Sequence, residues 1–176
     1  SFPTRRSSDL MNPQITPLMP VLVSPWLSIH VSLIMMSYAL LAFIMLNGIL
    51  ALCLRKKESE NNVSGNDAIQ DNRIEQLTLV SRLLLYPATF FLGAGIFLGA
   101  VWANVSWGRY WAWDPKEVWA LITFLVYGVA FHSQSLRIFR KPLFFHIYMI
   151  LAFLTVLMTY FGVNYVLGGM HSYANA

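Results

Sequence analysis

Apolar and polar residues fall along this chain in long blocks. Met11–Leu54 runs for 44 residues without a Lys, Arg, Asp or Glu, Leu83–Gly108 for 26, Val118–Leu136 for 19 and Pro142–Ala176 for 35. An uncharged apolar run of about 18 residues or more is the pattern of a membrane-crossing helix. Lipid offers no partner to backbone polar groups, and a helix pairs them within itself. The blocks predict an all-α fold, a polytopic transmembrane helix bundle of about four spans. The expected spans are 31–54, 83–103, 119–136 and 142–161. Between and around them lie an outer segment 11–30, a loop 55–82, a Trp-rich segment 104–118, a turn 137–141 and a tail 162–176.

Charge gives the orientation. Residues 55–82 hold five positive and five negative side chains, and Arg137, Arg140 and Lys141 form a second basic turn. These two segments carry eight Lys and Arg, against two, Arg109 and Lys116, between the second and third spans. Positive charge collects on the cytoplasmic side. The loop and the turn are therefore read as cytoplasmic, and the start of span one, segment 104–118 and the tail as external.

Composition narrows the classes further. The chain is 57% hydrophobic and 11% charged, where soluble domains carry about 25% charged residues. Its one cysteine, Cys53, excludes a disulfide framework, a zinc-finger pattern and a CxxCH haem-attachment motif of its own. The net charge of +4 is modest, and no dense basic patch points to nucleic acid. The first ten residues, SFPTRRSSDL, are polar and basic and resemble an in-frame translation of a sequencing-library adapter. They are set aside from fold reasoning as a non-native scar. On that reading Met11 is an internal methionine, and further spans precede it in the parent gene.

The external segment carries the unusual chemistry. Trp107, Trp111, Trp113, Trp119 and Tyr110 fall within 13 residues, interleaved with Gly108, Arg109, Asp114, Lys116 and Glu117. One or two Trp would be an interfacial belt; four exceed what anchoring needs. Flat apolar rings beside cations suit a large planar ligand with anionic arms. Haem has that form, with ring faces to pack on and propionates to pair with Arg109 or Lys116. A flat quinone or a lipid suits the same composition. Asp114-Pro115-Lys116-Glu117 also reads as a helix start, with Asp114 as N-cap, Pro115 at the first position and Glu117 closing a capping box. A helix from Pro115 to Arg137 would be about 34 Å long.

Four histidines are the second signal: His30, His132, His146 and His171. An ionisable residue in a span is a functional candidate, and imidazole is a common axial ligand of haem iron. His30 and His171 share the outer face with the Trp-rich segment, so two imidazoles could flank one aromatic platform. His132 lies about 25 Å along the third span, near the cytoplasmic boundary, with Gly128 one turn away on the same face. His146 sits at matching depth on the fourth span. It reads as an interfacial packing residue whose imidazole finds a backbone or water partner, with a pairing to His132 across the hairpin as the alternative.

At these residues a family resemblance enters. The stretch Trp107-Gly-Arg-Tyr-Trp-Ala-Trp-Asp-Pro-Lys-Glu-Val-Trp-Ala-Leu-Ile-Thr resembles the WWD signature of haem-handling membrane proteins. Its form Trp-Asp-Pro-Lys-Glu-x-Trp-Ala-Leu-Ile-Thr is similar to the CcsA/ResC cytochrome c biogenesis family. Trp26 to Leu40 resembles that family's Trp-Leu-x-x-His-Val…Ser-Tyr-Ala-Leu helix, and Phe161 to Tyr173 its Gly-Val-Asn…Gly-x-His-Ser-Tyr ending. The three motifs stand in the family's order and cover about residues 12–176, as a C-terminal fragment would.

The resemblance implies that His30 and His171 ligate haem b held at the WWD segment (Trp107, Gly108, Arg109, Tyr110, Trp111, Trp113, Asp114, Lys116, Glu117 and Trp119). It implies that His132 belongs to an intramembrane haem site whose other ligand comes from another span or subunit; His146 matches no family ligand. It implies haem transfer across a bacterial cytoplasmic (inner) membrane and thioether attachment to the CxxCH of apocytochrome c on the external, periplasmic face. The partners implied are apocytochrome c, a ResB/Ccs1-type membrane protein and a thiol-reducing pathway, with no nucleic acid. The enzyme assignment leans to the haem-attaching component of a complex, with this fragment inactive alone. A haem transporter without attachment activity and a structural membrane subunit are the competing readings.

Overall fold

A computed structural model describes residues 24–61, 67–132 and 135–167. Four helices follow one another: α1 (Pro25–Asn61), α2 (Asp67–Trp107), α3 (Pro115–Val129) and α4 (Pro142–Leu157). A 3-10 turn, Ala130–His132, ends α3; a second, Arg137–Arg140, leads into α4, which continues as a π-helical stretch, Met158–Leu167. Among the described residues there is no strand. Three helical segments are long and apolar enough to cross a membrane: Pro25–Lys56, Asp71–Trp107 and Pro142–Tyr165. The all-α multi-pass bundle expected from the blocked pattern is the fold that forms. Pro25, Pro115 and Pro142 each open a helix, where a missing N–H costs nothing.

The third helix is shorter than its apolar run. It ends at Val129 after 15 residues, or about 22 Å, instead of running on to Arg137. The Ala130 N–H reaches back to the Tyr127 carbonyl, so the last turn tightens. The Leu136 N–H then closes onto the His132 carbonyl at 2.7 Å. The turn that follows buries Phe139. Its side chain is 3% exposed and lies edge-on to Phe144 and Tyr148, at 5.2 and 4.8 Å between ring centroids.

The core runs through all four helices: Leu41 and Ile44 from α1, Leu85 and Leu92 from α2, Tyr127 from α3, and Phe145, Met149 and Val156 from α4. Lipid tails are as apolar as these side chains, so close packing and interhelical hydrogen bonds must hold the helices together. Ser37 Oγ donates to the Ala88 carbonyl at 2.8 Å, and Asn47 Nδ2 to Ser81 Oγ at 3.3 Å, both between α1 and α2. Tyr148 Oη on α4 donates to the Val126 carbonyl on α3 at 2.8 Å. Pro87 interrupts the hydrogen bonding of α2. Near it, the Thr89 hydroxyl back-bonds to the Leu85 carbonyl at 2.7 Å.

The end of the bundle holding the two 3-10 turns is cross-braced. Arg82 Nη2 on α2 donates to the Phe139 carbonyl at 2.7 Å, and its guanidinium lies 5.2 Å from the Phe145 ring centre. His146, 1% exposed, meets Thr78 Oγ1 through Nε2 at 2.9 Å. The Thr78 hydroxyl proton goes to the Ile74 carbonyl, so His146 Nε2 is the donor in that pair. His132 is exposed and its Nδ1 lies 3.3 Å from the Gly128 carbonyl. The two imidazoles have separate partners and do not pair across the hairpin; His146 is buried as a packing residue, but its partner is the Thr78 hydroxyl of α2 and not the expected backbone group or water.

Arg82→Gln leaves the Phe139 carbonyl without its charged donor, a loss of about 1.5–3 kcal/mol for a charge-assisted bond. We expect a lower midpoint in thermal or SDS-induced unfolding of the purified protein. An unchanged midpoint would show that the brace contributes nothing.

Candidate functional site

The opposite end of the bundle gathers the start of α1, the end of α2, the start of α3 and the π-helical stretch. Between α2 and α3 the chain makes two left-handed residues, Gly108 (φ +74°) and Trp113 (φ +58°). Gly108 suits the first, since it carries no Cβ, and its N–H closes α2 onto the Asn104 carbonyl at 2.8 Å. Trp113 is a costly residue for this conformation. It is held from both sides by one carboxylate: Glu117 Oε2 accepts from the Ala112 N–H at 2.8 Å and from the Asp114 N–H at 3.3 Å. Asp114, 6% exposed, accepts from the Lys116 N–H at 3.2 Å and completes the capping box. The helix start legible in Asp114-Pro115-Lys116-Glu117 is thus also what shapes the Trp-rich segment.

This segment closes over a cleft of ≈ 170 Å³. That is smaller than the sites of drug-sized molecules, about 300–1,000 Å³, so a larger guest must part the walls. α1 contributes His30, Ile34 and Tyr38; α2 contributes Gly99 and Trp102; the segment contributes Tyr110 and Trp111; α3 contributes Lys116, Glu117 and Ala120; the π-helical stretch contributes Thr159.

His30 is the residue with defined chemistry in this wall. Its Nδ1 lies 2.7 Å from the Gly95 carbonyl oxygen on α2. A carbonyl only accepts, so Nδ1 carries the proton, and in the neutral ring Nε2 is the basic nitrogen. Metal-binding imidazoles are commonly held this way, one nitrogen donating to a carbonyl and the other ligating. Lys116 is half-buried, and its Nζ donates to Asn164 Oδ1 at 3.2 Å. Burial pushes its pKa down, opposed by the nearby Asp114 carboxylate.

The remaining sequence-marked residues fall around this cleft or away from it. Trp107 sits edge-on behind Trp102, 4.9 Å between centroids. Trp113 sits edge-on to Trp111 at 6.1 Å and is exposed. Gly108 and Arg109 are exposed, and Trp119 is half-buried on α3. His132 lies at the other end of α3, away from the cleft. His171 lies outside the described residues. The structure therefore brings His30, Tyr110, Trp111, Lys116 and Glu117 together.

It also adds lining residues that had no expected role, Tyr38 among them although it stands in the Ser-Tyr-Ala-Leu motif. Tyr38, Trp102 and Thr159 line the cleft, and Thr159 Oγ1 lies 3.0 Å from Thr123 Oγ1. These were hidden inside apolar runs. Gly95 and Gly99 had a legible signal in their four-residue spacing.

The cytochrome C assembly protein family matches residues 6–171. Protein NrfI of Wolinella succinogenes is 42% identical over 164 residues, covering 93% of this chain and 18% of NrfI. The cytochrome c biogenesis protein CcsA of Chlamydomonas reinhardtii is 41% identical, covering 91% of this chain and 44% of that protein. CcsA of Pyropia yezoensis is 36% identical, with 90% and 60% covered. The chain thus spans between about a fifth and three fifths of the length of these relatives. Because the match takes in the polar loops and the Trp-rich segment as well as the apolar runs any membrane chain shares, the chain belongs to the cytochrome c assembly protein family.

Proposed function

We propose that the cleft receives haem as its substrate, with His30 Nε2 as one axial ligand of the iron, and presents it for attachment to apocytochrome c. The observation that carries this reading is the 2.7 Å contact from His30 Nδ1 to the Gly95 carbonyl, in a wall shared with Tyr110, Trp111 and Lys116. A ring nitrogen of settled protonation, flat aromatic faces and an ammonium are the three features an iron porphyrin with carboxylate arms asks of a protein. The family of the chain and its cytochrome c biogenesis relatives support the same substrate.

In this proposal His171 is the second outer ligand, and Trp107, Trp113 and Trp119 extend the aromatic surface around Tyr110 and Trp111. Lys116 pairs with a propionate, with Arg109 at the exposed rim. Gly108, Asp114 and Glu117 shape the segment that carries the rings. His132, at the other end of α3, belongs to an inner site from which haem b moves to the cleft. The cleft faces the external side of a bacterial cytoplasmic membrane, and the Arg137–Arg140 turn the cytoplasm, as the excess of Lys and Arg on that side favours.

The protein supplies position and not a nucleophile. Each Cys thiol of a reduced CxxCH adds across one haem vinyl group: sulfur bonds to one vinyl carbon and the thiol proton goes to the other. No electrons are gained or lost. The substrate's own His then takes an axial place on the iron. A ResB/Ccs1-type partner and a thiol-reducing pathway, which keeps the Cys pair reduced, complete the assembly.

Protein purified from haem-replete membranes should show a Soret band of bis-imidazole type. His30→Gly should lose that spectrum and cytochrome c maturation, and added imidazole should restore part of both. A wild-type protein without a Soret band would leave the structural-subunit reading. Haem retained without covalent cytochrome c from the reconstituted complex would leave the transporter reading. Lys116→Met removes a charge-assisted bond of about 1.5–3 kcal/mol. It should weaken haem binding roughly ten- to hundredfold in titration with added haem. Unaltered affinity would move the propionate contact elsewhere.

A further inference from the structure

We propose that Gly95 and Gly99 of α2 form a positioning notch for the His30 imidazole, fixing which ring nitrogen carries the proton and which faces the cleft. The geometry stands by itself, while its purpose rests on the haem reading above.

The two glycines are four residues apart in Leu92-Gly-Ala-Gly-Ile-Phe-Leu-Gly99, one above the other on one helix face. Small residues at this spacing let two membrane helices approach closely. Here the approach is filled by two α1 side chains with the same spacing. A Cβ on Gly95 would stand 2.6 Å from Ile34 Cδ1 and 2.9 Å from Cγ1. A Cβ on Gly99 would stand 2.7 Å from His30 Cε1 and 2.8 Å from Nδ1. His30 and Ile34 are thus plugs in adjacent holes.

The hydrogen bond sets this notch apart from packing alone. In an α-helix the carbonyl of residue 95 points toward the N–H of residue 99, so the side chain of residue 99 flanks that carbonyl. With glycine there, the oxygen has an open side, and His30 Nδ1 takes it at 2.7 Å. The obstacle a methyl group would meet is the ring itself, 3.4 Å or closer at three of its atoms, and not the α1 backbone. The ring would turn off the carbonyl while the helices stayed paired. Gly93, two residues before the notch, is the matched control, because its Cβ would meet Phe124 Cε2 on α3 at 3.0 Å.

The test uses the full chain in nanodiscs, labelled with 15N-histidine and free of haem. His30 is assigned by the signal lost in His30→Ala. We expect the Nδ1–H tautomer in the wild type and in Gly93→Ala, and its loss in Gly99→Ala. In a parallel titration with added haem, Gly99→Ala should weaken binding by roughly tenfold or more, the scale of losing a ligand's supporting hydrogen bond. The same change should cost nothing further in a His30→Ala background. If Gly99→Ala does not fold, the double variant His30→Ala with Gly99→Ala should fold, since the ring that blocks the methyl is gone.

A His30 tautomer unchanged by Gly99→Ala overturns the proposal, as does a double variant that stays unfolded. Wild-type protein that binds no haem but shows the tautomer shift keeps the notch and removes the haem reading.

Discussion

How closely two helix backbones can approach decides what this molecule can build. In lipid, apolar side chains gain little by meeting each other in preference to acyl chains, so helices are held by fitted surfaces and by hydrogen bonds that have no competing water. At Gly95 and Gly99 the α2 surface lacks two Cβ atoms, and α1 fills the space with Ile34 and His30. One side-chain width more between α1 and α2 would put the Gly95 carbonyl out of reach of His30 Nδ1. The imidazole would then lose its defined tautomer, and the cleft its most directed wall.

The second wall obeys a different constraint. A loop from the end of α2 to the start of α3 must carry its indoles over the cleft and still deliver Asp114 to the N-cap. Trp113 takes a left-handed conformation to do so, at a cost of order 1–3 kcal/mol for a residue of its kind. Glu117 balances that cost by accepting from the amides on both sides of Trp113. The same carboxylate belongs to the first turn of α3, where the helix dipole favours negative charge. Cap and loop are therefore one structure, and a change at Glu117 would act on the aromatic wall without touching a ring.

The multi-pass architecture was legible because it depends on long uncharged runs, which nothing local can disguise. The start of α3 was legible for a similar reason: N-cap, proline and capping-box positions have fixed offsets. The end of α3 was not. Its apolar run continues past Val129 without a Gly or Pro stop signal, while the chain turns there and goes on to bury Phe139 against Phe144 and Tyr148. In the cleft, His30, Tyr110, Trp111 and Lys116 stood out because polar and aromatic residues are conspicuous against apolar blocks. Tyr38 and Thr159 sit mid-helix, and only the three-dimensional crossing of α1, α3 and the π-helical stretch turns them to one place. The glycine spacing was visible, but which side chains entered the notch was not, since that depends on the register of α1 against α2.

The two ends of the bundle divide the physical work. At the turn end, Arg82, Thr78 and His146 tie α2 to the turn before α4 and to α4 itself, and Asn47 with Ser81 ties α1 to α2. Each of these bonds joins separate helices, so breaking the bundle there means breaking several at once. At the cleft end, contacts local to the Trp-rich segment stand beside cross-helix ones, among them His30 to Gly95, Lys116 to Asn164 and the Thr123–Thr159 pair. A planar guest as large as a porphyrin needs walls that can part, and a bundle pinned at its far end lets them part without losing the fold. Two of these cross-helix contacts are made by groups that would meet the guest, His30 and Lys116, so tethers of the resting cleft are also recognition elements.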